Sequence, residues 1–572
     1  VTSTLVGSGP AMTKVWRAPS FWRRTLAAVL LMFVGGLLAA TPASAHALLE
    51  QSNPTNGEVL PKAPNQVEFD FSENVSLSLG YVRVVDTKGN RVDDGKTSNP
   101  GGDGSKVAIG LPSGLPDGGY IASYRVISAD SHPVSGAISF AVGTGAAPNI
   151  DSAGTQTSAA SSDPVVAIAY PVVRWLGYLG FSLLVGVIAF AGFVHRPLRR
   201  DKRIRRIGWI GFDIAIGSTV LGVLLQGVYG AGRGLGSLFD YSLIAATLET
   251  NLGRMYALRL VVLGFLGVLL WEWLSARVVA RWLTYTATGL AVCMAATISG
   301  GGHASSQGFS PVMLGADMLH LLAMGMWIGG LVIVLAVVIP RVDDEDMPQV
   351  VGEFSNLALL SVIVIIVTGA FQALVQVGSF GALFSTTYGW LVVAKIVGLL
   401  ILVVLAYGSR SWVNNRVAAQ TEDVPVPTRA KLRNRIIAEV VVAAAVIGVA
   451  AVLVSEPPAK DVYAAPANTT VTFSNGSTAQ VTVDPDRAGQ NALHIYVFDK
   501  NGAIQNVPKV TTTIEQKAAK VGPLEVPLTK AGTGHFLTSR QNFPIKGDWT
   551  ITITLNLGEF DQYVASTVVT VG

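Results

Sequence analysis

Eight apolar runs constrain this chain more than any other feature. They lie at about 167–195, 207–230, 256–274, 282–300, 311–340, 356–377, 389–409 and 436–455. About 20 helical residues cross the ~30 Å hydrocarbon layer of a bilayer with every backbone N–H and C=O satisfied inside the segment. Each run is long enough, so the centre of the chain is expected to be a polytopic α-helical bundle of about eight transmembrane helices. Only 14% of the residues are charged and 50% are hydrophobic, as lipid-facing surface allows. The single cysteine, Cys293, excludes an intramolecular disulfide framework, a four-cysteine zinc site and a CxxC redox pair.

The basic residues set the expected orientation. "HRPLRRDKRIRR" after the first run and "RAKLRNR" before the eighth hold most of the Lys and Arg of the membrane region, whereas "GGGHASSQG" and "GSFGALFSTTYG" hold none. The positive-inside rule places the first pair in the cytoplasm and the second outside. An even number of spans then leaves both ends of the mature chain external, in the cell membrane. The N-terminus agrees: Arg17, Arg23 and Arg24 precede an apolar stretch at 26–40, and Ala43-Ser44-Ala45 follows, the three parts of a secretory signal peptide over residues 1–45. Basic clusters confined to membrane edges give no support to nucleic-acid binding. No phosphate-cradling GxxxxGK[ST] motif appears, so ATP is not expected to drive the chain directly.

The pattern changes on both sides of the bundle. "QVEFDFSENV", "GYVRVVDTKGNRV" and "GGYIASYRVISAD" alternate with period two between turn residues, which predicts an external all-β sandwich or barrel over 46–143. Residues 144–164 are small, polar and rich in Gly, Pro and Ser, a linker with a reach of roughly 25 Å that lets this domain touch the membrane domain at 165–456. "TVTFSNG", "AQVTVDPDRAG", "NALHIYVFDKNG" and "DWTITITLNLG" predict a second external β-sandwich over 457–572.

Cleavage after Ala45 makes His46 the first mature residue, with a free α-amino group beside its imidazole. The amine and Nδ1 close a six-membered chelate ring on a metal, and an amine with a pKa near ~7.7 releases its proton readily. In "SADSHPVSG", Asp130 and His132 stand two apart, and Pro133 biases His132 toward an extended conformation in which both point the same way. Three nitrogens and one carboxylate oxygen suit Cu(II), which also leads the Irving–Williams order. "HALLEQSNPTNGEVL" together with "DSHPVSG" resembles the CopC family of periplasmic copper-binding β-barrels. That resemblance implies His46, Asp130 and His132 as Cu(II) ligands. The domain has neither Met nor Cys, so the methionine-rich Cu(I) site of some members is not expected.

Inside the fifth run, "PVMLGADMLHLLAMGMWIGGL" carries an aspartate and a histidine, expensive in lipid and functional candidates by default. At about 100° per residue, Met313, Asp317, His320, Met324 and Trp327 share an arc of roughly 80° stacked over roughly 20 Å. They form a candidate copper path, with Cu(I) as the species suited to the thioethers and His303 as the first ligand at the external mouth. The competing reading is methionine core filler with a structural Asp–His pair. "SGGGHASSQG" and "HLLAMGMWIGGL" resemble the CopD family of copper-resistance membrane proteins, which implies roles for His303 and His320. Asp317, Met313 and Met324 rest on helix geometry alone. Arg174 and Arg259 lie near external span ends, where long side chains snorkel to water. Lys395 and Glu439 are expected to pair across helices. Cys293 beside Met294 reads either as a Cu(I) ligand or as a small apolar residue.

"VTVDPDRAGQNALHIYVFDKNG" with "GDWTITITL" resembles the YtkA-like β-sandwich family, which implies no firm chemistry. His494 and His535 each stand alone in sequence there, and docking over the external mouth is the expected role of the domain. Together these features predict copper capture outside and copper passage along or across the bilayer, by a protein that is not an enzyme. Two alternatives stay open: an external sequestering or metallation factor that serves a copper chaperone or oxidase, and a copper-dependent oxidoreductase.

Overall fold

In a computed structural model the chain is described from Ala47 to Gly572, apart from residues 48, 56, 130, 146, 149–156, 159–162, 277–279, 303–309, 344, 419–428, 464–465 and 559–560. The signal-peptide expectation, His46, Asp130 and His303 therefore lie outside the described residues, as does most of the expected linker.

The first β-domain is a sandwich of two sheets. Strands β1 (Leu49–Asn53), β3 (Gln66–Phe71), β6 (Lys106–Gly110) and β5 (Thr97–Ser98) form one sheet in that order. The other runs β2 (Glu58–Leu60), β8 (Pro133–Val142), β7 (Gly118–Ile127), β4 (Ser76–Asp86). Alternation buries Val67, Phe69 and Phe71 from one sheet against Ala122, Tyr124 and Val126 from the other. Tyr124 packs on Phe69 and Phe71 at ring-centroid distances of 4.9 and 5.2 Å. A two-residue strand within the expected linker, β9 (Thr157–Ser158), pairs with the start of β8.

Eight helices are long and apolar enough to cross a membrane: α1 (Pro164–Val194), α2 (Lys202–Ala231), α3 (Asn251–Ser275), α4 (Arg281–Ser299), α5 (Pro311–Arg341), α6 (Met347–Val377), α7 (Thr387–Trp412) and α8 (Arg429–Leu453). Their starts are dictated locally. Asp163 accepts from the Val165 and Val166 amides ahead of α1, whose first residue is proline. Thr250 accepts from the Gly253 amide ahead of α3. Gly232, at φ +65°, closes α2 in the left-handed conformation that favours glycine.

Helices α1 and α5 form the centre, with 67% of their apolar windows buried against 17–39% for the other six. They approach through glycine: a Cβ on Gly329 would overlap the Ser182 carbonyl oxygen, and one on Gly186 would overlap the Gly329 backbone. Gly329→Ala is therefore expected to push the two central helices apart and to lower the melting temperature of the protein in detergent, whereas Gly217→Ala, where nothing lies within 4 Å, leaves it unchanged.

The basic segments gather at one end of the bundle. There Arg203 donates to the Ala336 carbonyl, and Arg429 to those of Ile339 and Val342, so these residues also cap the last turns of α5. The β-domain packs on the opposite end, where Arg125 meets the Tyr229 and Gly230 carbonyls that close α2.

The C-terminal domain is a second sandwich. One sheet has the order β10 (Ala467–Thr472), β11 (Thr478–Asp484), β12 (Gly489–Phe498), β16 (His535–Phe543), β15 (Thr529–Gly532). The other has the order β14 (Val521–Val526), β13 (Lys509–Gln516), β17 (Gly547–Asn556), β18 (Gln562–Val571). Trp549, fully buried, packs edge-on against Phe543 at 5.4 Å.

Candidate functional site

The β7–β8 connection carries the first site. Ile127 and Pro133 are register partners, so residues 128–132 must reverse the chain within a short loop. The Ser128 amide and hydroxyl both donate to the His132 carbonyl, and the Ser131 amide donates to the Ser128 carbonyl. Ser131 sits at φ +69°, a left-handed conformation that costs a serine about 1–2 kcal/mol. The expected extended conformation does not hold at Ser131, the residue between the two candidate ligands; Asp130 itself lies outside the described residues.

The loop is pressed onto the membrane domain. Gln226 of α2, buried, donates to the Ser131 carbonyl at 3.2 Å. His132, only 8% exposed, places Nε2 2.9 Å from the carbonyl oxygen of Val454, just past the end of α8. A carbonyl only accepts, so Nε2 carries the proton and the lone pair of the neutral ring is on Nδ1. This is the arrangement by which metal-binding histidines are oriented: one nitrogen donates to a carbonyl, the other faces the metal. The Glu456 carboxylate lies within electrostatic reach of His132, and burial raises its pKa above the ordinary value.

Arg125 fixes the docking. It lies on β7 and is 7% exposed, and burial pulls its guanidinium below its usual pKa. Its Nε donates to the Gly230 carbonyl at 2.7 Å and its Nη2 to that of Tyr229 at 2.9 Å. These are terminal carbonyls of α2, where a cation meets the negative end of the helix dipole. Leu79 and Ile127 pack against Gly230 beside it. Arg125→Ala removes two charge-assisted hydrogen bonds and is expected to weaken docking by about 3 kcal/mol. Faster proteolysis in the β-domain's connections to the bundle checks this.

Beneath His132 two small cavities follow one another into the bundle. The outer, about 20 Å³, is lined by His132, Ser131, Gln226 and Val454. The inner, about 60 Å³, is lined by Tyr178, Tyr256, Arg259 and Met294. Tyr170 and Arg174 line both. Both arginines are half-buried, and each has protein hydrogen-bond acceptors. Arg174 donates to the Ser455 hydroxyl at 2.8 Å and the Ala451 carbonyl at 3.3 Å, and Arg259 to the Thr297 carbonyl at 2.8 Å. Each guanidinium also lies over a tyrosine ring, Tyr170 at 4.7 Å and Tyr256 at 5.0 Å. Met294 faces this cavity while Cys293 is exposed on the other side of α4. Neighbouring helical residues differ by about 100°, so the cysteine does not join the methionine.

The stripe on α5 is partly as expected. Met313 and Trp327 are buried, at 1% and 2% exposure. Met324 is half-buried and packs on the main apolar core, as do Met318 and Met326. His320 Nδ1 lies 2.8 Å from the Thr368 hydroxyl of α6. That hydroxyl spends its single proton on the Val364 carbonyl at 2.6 Å, so His320 Nδ1 is the donor and Nε2 keeps the lone pair. Gln372 donates to Asp317 Oδ1 at 3.4 Å. Lys395 of α7 is the cation that acts on Asp317. The expected Lys395–Glu439 pair does not form: Glu439 accepts a short hydrogen bond from Ser409, and its charged neighbour is Arg435, one turn earlier in α8. Among the described residues no group of three or more His, Cys, Asp or Glu converges as a metal site.

Sequence reasoning missed Arg125, Glu456, Thr368 and Gln372, and named Met294 only as the neighbour of Cys293. It also missed that His494 and His535, 41 residues apart, meet at 3.2 Å between ring nitrogens.

Comparison with known proteins gives a consistent picture. The CopC domain model matches residues 49–143, the copper resistance protein D-like N-terminal domain 162–312, and copper resistance protein D 348–453. The copper transport protein CutJ of Bacillus subtilis (strain 168) is 28% identical over 549 residues, covering 93% of this chain and 97% of that protein. Copper resistance protein C of Pseudomonas syringae pv. tomato is 30% identical over 116 residues, 19% of this chain and 91% of its own length. Among solved structures, PcoC from Escherichia coli aligns at 28% identity over 17% of this chain and 98% of its own, with a TM-score of 0.15.

Proposed function

The chain belongs to the copper-resistance family in which a CopC domain is joined to a CopD membrane domain in one polypeptide, and from that premise we propose that it captures copper outside the cell and passes it into the membrane bundle. The observation that carries this reading is the seat of His132. Its Nε2–H rests on the carbonyl that follows α8, directly over a cavity leading inward. A domain that only stored copper gains nothing from a ligand held at that mouth.

In the first step His46, Asp130 and His132 hold Cu(II), with Nδ1 of His132 as its ligating atom. The Val454 carbonyl fixes that tautomer, so movement of the α8 end is felt at the copper ligand. Glu456, beside His132, offers the next oxygen.

The inner cavity then selects by charge. Two unit charges about 5 Å apart interact by about 3 kcal/mol at an effective dielectric of 20. A divalent ion meets twice that from each of Arg174 and Arg259, a monovalent ion half as much as the divalent one. Met294 adds a soft thioether at the same level. Passage as Cu(I) follows, and an external reductant is then required. Deeper in, His320 presents Nε2 with Asp317 one turn above it, and Met313 and Met324 on the same face. Lys395, within electrostatic reach of Asp317, helps balance its charge. His303 completes the path as the external receiving ligand. The reading is transport rather than catalysis, with both β-domains external and the basic loops cytoplasmic.

Undocking separates transport from storage. Arg125→Ala is expected to keep Cu(II) binding by the full-length protein while cellular copper accumulation falls severalfold. Unchanged accumulation with a demonstrably undocked domain favours a storage or metallation role instead. Glu456 supplies an independent check. Its raised pKa means its contribution to stability is present below the unfolded value, near 4.5, and is lost as pH rises through the folded value. Glu456→Gln is therefore expected to raise the melting temperature at pH 7 and to slow copper delivery, a stability–function trade that a purely structural carboxylate does not show.

A further inference from the structure

The outer face of the C-terminal sandwich holds a histidine pair that the transport path does not use. On β12 the inward positions Leu493, Ile495 and Val497 are fully buried, so His494 and Tyr496 project from the other face. On β16 Phe536 is buried and His535 projects outward beside them. Register sets Tyr496 opposite His535 and leaves His494 on the diagonal. The Tyr496 and His535 rings stack at 4.1 Å with 9° between planes, which fixes the imidazole orientation. His494 Nδ1 then lies 3.2 Å from His535 Nε2, and the two imidazole planes differ by 14°.

We propose that His494 and His535 form a second, open metal site that takes a divalent borderline cation, Cu(II) foremost. Two imidazole nitrogens bound at ~2.0–2.1 Å and 3.2 Å apart subtend about 100° at the metal, between the tetrahedral and square-planar angles. The pair is already hydrogen-bonded nitrogen to nitrogen; binding a metal replaces that proton and requires χ2 rotations that turn both lone pairs toward a common point beside the N–N line. Gly532, the register partner of His535 on β15, has open space where a side chain would stand. The remaining coordination positions are therefore open to water or to a donor on an arriving partner. Two protein ligands with open positions suit exchange rather than storage. The site rests on its own geometry and does not depend on the transport reading.

The test is Cu(II) titration of the purified full-length protein in detergent, with bound metal measured by equilibrium dialysis and its nitrogen ligands read by electron paramagnetic resonance. His494→Ala and His535→Ala are each expected to lose the same single Cu(II) equivalent, the double variant no more than either, and His132→Ala to retain it. Wild-type stoichiometry in both single variants overturns the proposal. A second measurement needs no substitution: Cu(II) is expected to shield His494 and His535 of the wild-type chain from diethyl pyrocarbonate. Equal modification with and without the metal overturns it as well.

Discussion

Cells producing His320→Ala are expected to accumulate copper no faster than cells without the protein, although external Cu(II) binding persists. The imidazole is the nitrogen donor on the inward stripe of α5, about 15 Å below the external end of that helix. Its donor state is set by its neighbour: Thr368 gives its proton to the Val364 carbonyl and receives one from Nδ1, which leaves the lone pair on Nε2. Thr368→Val removes the acceptor and releases the tautomer, at an expected cost of about 10–100-fold in transport, the range found when a hydrogen bond orienting a metal-bound histidine is lost. Thr368→Ser restores the hydroxyl and is expected to restore most of the rate. Radiocopper uptake by whole cells reads all three. A His320→Ala variant at full rate removes α5 from the path and leaves His320 a helix-packing residue.

His132→Ala is expected to have the largest effect on capture. It deletes the ligand and the contact with Val454 together, and an incomplete donor set should weaken Cu(II) binding at the N-terminal site by at least ~100-fold. Its effect should exceed that of Arg125→Ala, which undocks the domain and leaves the ligands whole. The sign of the pH dependence follows from the chemistry. A metal-bound imidazole must be neutral, so capture weakens as pH falls and the ring gains a proton. Dialysis at two pH values with wild type and His132→Ala checks both expectations. Equal affinity in the two proteins would remove His132 from the site.

What the sequence reveals follows the range of the interactions. Hydropathy is local, so all eight long apolar helices and both sandwiches are legible. Lateral pairing is not local. Lys395 has two acidic candidates in the sequence, and only packing brings it within electrostatic reach of Asp317 while Glu439 turns to Ser409. Arg125 occupies a strand position that alternation assigns to the solvent face, and nothing in β7 announces the α2 carbonyls it binds. The left-handed Ser131 defeats a period-two argument because one turn residue resets the direction of the next side chain. His494 and His535 look solitary since sheet register, not sequence spacing, brings them together. One signal was available: Cys293 and Met294 are adjacent on a helix and so face different sides.

Movement of copper through the bundle is the property that separates a transporter from a copper store. Purified full-length protein reconstituted into sealed vesicles, supplied outside with radiocopper and a reductant, measures it directly. Lumenal copper rising well beyond the number of protein binding sites, and failing to rise with His320→Ala, is the predicted result. Copper that stops at protein stoichiometry and is stripped completely by an external chelator would contradict it.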